Sequence, residues 1–382
     1  MSMQMRTLAP LAVALAVVAA PSLGAQSVFD SELRLAPQFL QYQIKSPSNE
    51  TISELAVPVF VSIPFGSRFT FDVGTSYARA RAKTGSAISE INGLTDTQLR
   101  GNLTLGTDFI VVTGGVNLPT GQSSVTLEQL TAAGRIGSDF LAFPISNMGT
   151  GLAATGGIAI ARPLGNWNIG FGGAVRHSST YEPFNVPDQT TLRFTPGDEY
   201  RARIGVDRGV FNGRVSLGLT YSAFGNDEAG TSVYNTGNRL IAQAIVTNSI
   251  AGTDVTVAGY NVFRAPGHYA TGDPAGRENI ANGYVGLGLH ILGTLVEPSL
   301  EGRNWLQKIP SVTTGTSTTA ERSQMSYLGT LGLRTRLVAE GFAVYPSVGF
   351  TAGRLATLNA TNSPTHADFT GWRAQLAIRV AP

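Results

Sequence analysis

Cysteine is missing altogether from the 382 residues, which excludes disulfides, thiolate metal sites and cysteine catalysis. Charge is the next shortage. Asp, Glu, Lys and Arg make up 14 % of the chain, where a soluble protein carries about 25 %. A surface so poor in charge does not all face water. Lysine is scarcest, with only Lys45, Lys83 and Lys308 among 27 basic residues; a GC-rich genome would give that arginine bias. After the N-terminus there is no apolar run of the roughly 18 or more residues that a spanning helix needs, and mean hydropathy is only +0.07. A net charge of +2 without a basic cluster argues against nucleic acid as a partner. What is present is 45 glycines in a moderately apolar chain. That composition suits strands with one lipid face and one wet face.

The N-terminus reads as an export signal. Arg6 supplies a positive start, Leu11 to Ala20 is a short apolar core, Pro21 breaks it, and Leu23-Gly24-Ala25 ends in a small residue. Residues 1–25 are therefore read as a signal peptide cleaved near Ala25. Residues 26–382 form the mature domain, destined for the outer membrane, with membrane lipid and the barrel-assembly machinery as partners.

Period-two alternation is the strongest pattern in the chain. Phe69, Phe71, Val73 and Tyr77 oppose Thr70, Asp72, Gly74, Ser76 and Ala78. The same design recurs with Val215, Leu217, Leu219 and Tyr221, with Val285, Leu287, Leu289 and Ile291, and with Trp372, Ala374, Leu376, Ile378 and Val380. The opposing faces carry Gly, Ser, Thr and Arg rather than Lys and Glu, as the wall of a lumen would. Between strands, short turns alternate with long polar stretches. The short ones lie near Phe65-Gly66-Ser67, Thr107-Asp108, Gly165-Asn166, Asn212-Gly213, Gly293-Thr294 and Glu340-Gly341. The long ones are Arg81 to Gly93, Pro119 to Met148, Ser178 to Gly197, Gly225 to Gly237, Ala265 to Arg277, Leu306 to Ala320 and Leu358 to Asp368. Loop length sorted by parity means short periplasmic turns and long extracellular loops. The fold class is thus all-β, a transmembrane antiparallel up-and-down β-barrel of about 14–16 strands. The uncertain pair is Leu240 to Tyr260, where alternation fails. A helical turn is expected near Leu127 to Ala133. Tyr77, Trp167, Tyr221, Phe224, Phe350 and Trp372 are the candidate interface girdle.

Gly93-Leu94-Thr95-Asp96-Thr97 opens an alternating strand, and the return strand ends in Leu118-Pro119-Thr120-Gly121. With Arg135-Ile136-Gly137-Ser138-Asp139, this stretch from Glu90 to Asp139 resembles the outer-membrane transporter family named for the meta-pathway of phenol degradation. The resemblance rests on Gly93, Asp96, Pro119 and Gly121, with Thr95 standing where that family has Gly. It implies a barrel that passes small hydrophobic or aromatic molecules, and structural rather than catalytic roles for these residues. Long-chain fatty-acid transporters carry an N-terminal hatch, but here Glu32 to Tyr42 already alternates and leaves little chain for one.

His177, His268, His290 and His366 are scattered, with no metal-ligand spacing, and neither a nucleophile elbow nor a phosphate-binding loop occurs. No cofactor, metal or catalytic residue is expected. The chemistry-bearing residues are the charges on predicted lumen positions: Asp72, Arg176, Arg201, Arg203, Arg214, Glu297, Glu301, Arg334, Arg336, Arg373 and Arg379. They suit either a selectivity-setting ladder or cross-strand ion pairs that stiffen the wall, such as Glu297 or Glu301 with an arginine of the following strand. Transport of small molecules is the leading reading. A structural or surface-recognition barrel is the alternative, and an outer-membrane hydrolase comes third.

Overall fold

The computed structural model describes residues 32–45, 49–106, 109–185, 192–210, 212–269, 273–310, 322–358 and 364–380, with two short strands at 313–314 and 317–318. The signal-peptide expectation and the Thr107-Asp108 turn lie outside the described residues. Sixteen antiparallel strands form one closed sheet. Strand β1 comes in two segments, Glu32–Leu35 and Gln38–Ile44, broken at Ala36-Pro37 because proline lacks the N–H of the ladder. It is followed by β2 (Glu50–Phe65) and β3 (Phe69–Thr84). Strand β4 is also split, into Ala87–Leu94 and Thr97–Leu105. Then come β5 (Ile110–Leu118), β6 (Ala153–Leu164), β7 (Trp167–Ser178) and β8 (Glu199–Val210). Next are β9 (Gly213–Phe224), β10 (Arg239–Ile250), β11 (Thr253–Arg264) and β12 (Arg277–Ile291). The last four are β13 (Thr294–Ile309), β14 (Arg322–Ala339), β15 (Phe342–Leu358) and β16 (Pro364–Val380). Each strand pairs with its sequence neighbours, and β16 closes on β1 through Leu33↔Val380 and Leu40↔Arg373. Closure removes every sheet edge, which a strand structure in lipid requires.

The alternation places the apolar residues outside. Leu217, Leu219 and Tyr221 are exposed on β9, as are Val285 and Leu287 on β12, while Ser216, Gly218 and Ser222 face inward. The outer band is bounded by aromatic rings, Phe69, Trp167 and Phe342 near the short-turn rim and Tyr77, Tyr221 and Trp372 above it. Phe69 and Tyr77 are eight positions apart (77 − 69), close to the roughly 9–11 residues of a membrane-crossing strand. Phe224 leaves the expected girdle: it falls in the inward row of Thr220 and Ser222, with the Arg239 guanidinium 5.6 Å from its ring centre.

Two expectations change, and the uncertain pair finds its place. The stretch Arg81 to Gly93 is not a loop, since β3 and β4 run through it and turn at Gly85-Ser86. Arg79, Arg81 and Lys83 point outward there because the strands continue past the membrane band, and Arg79 pairs with Glu90 at 2.9 Å. Leu240 to Tyr260 stays in the wall as parts of β10 and β11. Its alternation fails because both faces are apolar, with Leu240, Ala244 and Val246 outside and Ile241 and Ile245 inside. The second change is the larger. The segment from Pro119 to Leu152 does not stand outside the barrel; it folds into the lumen and carries helix α1 (Leu130–Ile136), three residues later than the expected turn.

Above the loop rim, Phe194–Thr195, Asp227–Ala229 and Ser232–Tyr234 make a small antiparallel sheet of their own.

Candidate functional site

The lumen and the loop folded into it form the site. The inner wall of β3 offers Ala78, Ala80 and Ala82, all fully or almost fully buried. Such small side chains leave a recess into which Ala132 and Ile136 of α1 fit. Further along, Phe140 stacks on Trp305 of β13 at 5.6 Å and meets Phe369 of β16 edge-on at 6.2 Å. Tyr42 of β1 meets Phe143 and Phe369 edge-on, each at 5.5 Å. Each fully buried ring contributes about 1.5–3 kcal/mol of transfer free energy, so these apolar residues hold the segment inside against the entropy of ordering it.

Polar groups then fix its register. Arg135 binds Glu50 of β2 through two parallel bonds, Nε to Oε1 at 2.9 Å and a terminal nitrogen to Oε2 at 2.7 Å. Glu54 Oε1 accepts the Ile145 N–H at 2.8 Å. Tyr42 donates its hydroxyl to the Leu141 carbonyl at 3.1 Å, and Arg303 donates to the Phe140 carbonyl at 2.8 Å. Ser89 Oγ accepts the Ala132 N–H at 3.0 Å. Arg264 reaches Asp139 from β11 at 3.4 Å. The loop is thereby tied chiefly to one side of the barrel, through β1, β2, β4 and β13, with Arg264 of β11 reaching it from the other side.

The motif residues anchor its two ends. Asp96, in the break between the segments of β4, accepts the Gly121 N–H on one oxygen and the Thr150 N–H on the other, at 3.1 and 2.7 Å. Gly121 has no room for a side chain, because a Cβ there would lie 2.0 Å from the Met148 carbonyl oxygen. Gly93 has φ +155° at the end of the first β4 segment. Pro119 follows directly on the end of β5, where a strand can stop without losing a ladder donor.

All eleven charges expected in the lumen occupy inward register positions. Most are paired. Arg334 holds Glu297 of the preceding strand through two bonds at 2.6 and 2.8 Å. Glu301 binds Arg303 at 2.8 Å and lies 3.5 Å from Arg373. Arg379 pairs with Glu32, which also holds Arg34 at 2.7 Å. Arg214 pairs with Asp207 at 2.7 Å, and Asp72 accepts Ser62 Oγ and Asn102 Nδ2 at 2.8 and 2.9 Å. Arg336 lies 5.8 Å from the Tyr345 ring centre. Arg176 and Arg201 come together in a wall cavity of about 270 Å³, along with Arg100 and Glu199, which the sequence reading passed over. Arg203, one step further toward the short-turn rim, has no ion-pair partner among the described residues. A second cavity, about 300 Å³, lies under the loop between Tyr42, Glu301, Arg303 and Arg373.

Glu50 and Glu54 carry no signal of this role in the sequence, and Arg135 stands there only as part of the motif stretch. The signal for Arg100 was present in the alternation of Gln98, Arg100 and Asn102 against Leu99, Gly101 and Leu103. On the outside, His177 Nδ1 lies 2.7 Å from Asp198, and no serine hydroxyl bonds to it among the described residues. No group of His, Asp and Glu suited to a metal occurs among the described residues.

No family model matches the chain, and no curated protein matches it in sequence. Solved structures do match in fold. Outer-membrane OmpT of Vibrio cholerae is 10 % identical over 94 % of this chain and 99 % of its own, with a TM-score of 0.41. An anion-selective porin from Comamonas acidovorans is 13 % identical over 92 % and 99 %, with a TM-score of 0.42. An outer membrane channel from Pseudomonas putida F1 is 11 % identical over 94 % and 98 %, with a TM-score of 0.36. Nothing about solute or role passes to this chain from likenesses of that size, and the meta-pathway resemblance rests on its motif residues alone.

Proposed function

We propose that the protein is an outer-membrane channel for small solutes, and that passage runs between the inserted loop and the arginine-bearing wall of β4 and β7 to β11. The observation that carries this reading is the loop itself. A sixteen-stranded barrel is wide enough for an aqueous lumen, and an apolar core built inside it against one wall narrows the path without filling it. The opposite wall keeps inward guanidinium groups, with Ile241, Ile245 and Val262 beside them as an apolar lumen surface. Such a wall suits small solutes that combine an apolar body with a negative charge. Aromatic solutes of the kind the motif resemblance implies would find both features there.

The chain has no catalytic role in this proposal. A surface-recognition role is the second reading, favoured by the ordered sheet that Phe194–Thr195, Asp227–Ala229 and Ser232–Tyr234 build above the rim. Flux of benzoate and of a neutral sugar into liposomes holding the refolded protein separates the two. Flux of either solute supports the channel, and flux of neither moves the function to the loops.

A further inference from the structure

We propose that the wall cavity between β4 and β8 is a binding site for a small carboxylate-bearing solute. This rests on the channel reading and adds to it the class of solute that is held on the way through. The site is built by register. Arg100, Gly115, Thr155, Arg176 and Glu199 stand side by side on five successive strands, each the Cα partner of the next. Gly115 and Thr155 are small, so the space between the two arginines stays open, about 270 Å³. Thr113 and Asn117 add further polar groups to its lining.

The acids nearby are already engaged. Glu199 accepts both Nε and a terminal nitrogen of Arg201, at 3.2 and 2.7 Å, and lies 3.9 Å from Arg239. Asp72, the register neighbour of Arg100 on β3, accepts Ser62 and Asn102 instead. Arg100 and Arg176 are thus left without an ion-pair partner among the described residues, while facing one cavity. Two like charges held along a confined wall repel each other, and an anion between them removes that repulsion. A guanidinium fork matches a carboxylate with two parallel bonds. Glu199 in the same lining is already offset by Arg201, so the two unpaired guanidinium groups set the sign of the site.

The test is block of KCl current through the refolded full-length protein in a planar bilayer. Benzoate, its neutral counterpart benzamide, and inorganic phosphate are added in turn. Benzoate is expected to reduce the current saturably and benzamide to leave it unchanged. Arg100→Gln combined with Arg176→Gln should raise the half-blocking benzoate concentration at least ten-fold, whereas Arg336→Gln should not move it. Equal block by benzamide, stronger block by phosphate, or an unaffected double variant would overturn the assignment. If the protein carries no current, the channel reading fails separately. Calorimetric titration of benzoate into the detergent-solubilised protein then decides the site: binding that the double variant loses supports it, and no binding overturns it.

Discussion

The Asp96 carboxylate accepts the backbone N–H of Gly121 at 3.1 Å, and this contact ties the start of the inserted loop to the strand beside it. The second oxygen of Asp96 takes the Thr150 N–H at the loop's other end. One side chain therefore clasps both ends of the segment that the apolar core holds inside the barrel. Hydrogen bonds to a charged group contribute about 1.5–3 kcal/mol each. Asp96→Ala should loosen the loop while the barrel still folds. Trypsin cleavage after Arg135 measures this: fast cleavage in the variant and slow cleavage in the parent are expected, with the same gel shift of unheated samples. Gly121→Ala should act in the same direction, because its methyl group meets the Met148 carbonyl.

The ion pair of Arg135 with Glu50 holds the helix to the wall. Glu50 has a side chain only 2 % exposed, while Arg135 keeps 42 % of its side chain in solvent. Removing the arginine leaves a buried carboxylate without its partner. A fully buried pair broken in this way costs about 3–5 kcal/mol; the partial exposure of Arg135 lowers that to roughly 1–3 kcal/mol. Arg135→Met should therefore lower thermal stability, and Glu50→Gln added to it should restore most of the loss. Additive losses in the double variant would remove the pair from the account.

Wall polarity has its own test on β9. Leu217 is exposed on the lipid face and Ser216 faces the lumen. An arginine at the middle of the lipid face costs about 2–4 kcal/mol, and a lumen position escapes most of that. Leu217→Arg should fold into lipid much less efficiently than Ser216→Arg. Equal folding, read by gel shift of unheated samples, would contradict the facing of the strand.

The small sheet above the rim carries a pH dependence. Burial pushes the Asp227 carboxyl above its ordinary value, against the Gly197 N–H that pulls it down. An acid with a raised folded pKa contributes stability that is fully present below its unfolded pKa and is lost as pH rises through the folded one. The sheet should loosen as pH rises from about 4, the unfolded value of an aspartate. Hydrogen exchange of the amides in Asp227–Ala229 and Ser232–Tyr234, corrected for intrinsic rates, reads this directly. In Asp227→Asn the dependence should vanish; an unchanged profile in that variant would assign the effect to another group.

The barrel was legible wherever one face met lipid and the other met water, as at Leu217 and Ser216. It became illegible where that contrast disappeared. Ile241 and Ile245 face the lumen as apolar residues, so their strand reads as two-sided. Arg79, Arg81 and Lys83 face water beyond the membrane, so a strand reads as a polar loop. The inserted loop followed the same logic in reverse. Phe140, Leu141, Phe143 and Met148 are too apolar for an extracellular loop, and their wall partners, from Tyr42 to Phe369, are scattered along the whole chain. Only the folded barrel brings those partners to one place. The motif at Asp96 and Gly121 was visible as residues, but its role depends on the loop turning inward, which periodicity does not encode.

On the channel reading, the inserted loop narrows a conducting lumen. Single-channel conductance of the refolded protein, compared with a variant in which residues 122–149 are replaced by a short Gly/Ser linker, tests it most directly. Small steps in the parent and steps several-fold larger in the variant are expected. Equal conductance in the two proteins, or none in either, would contradict it.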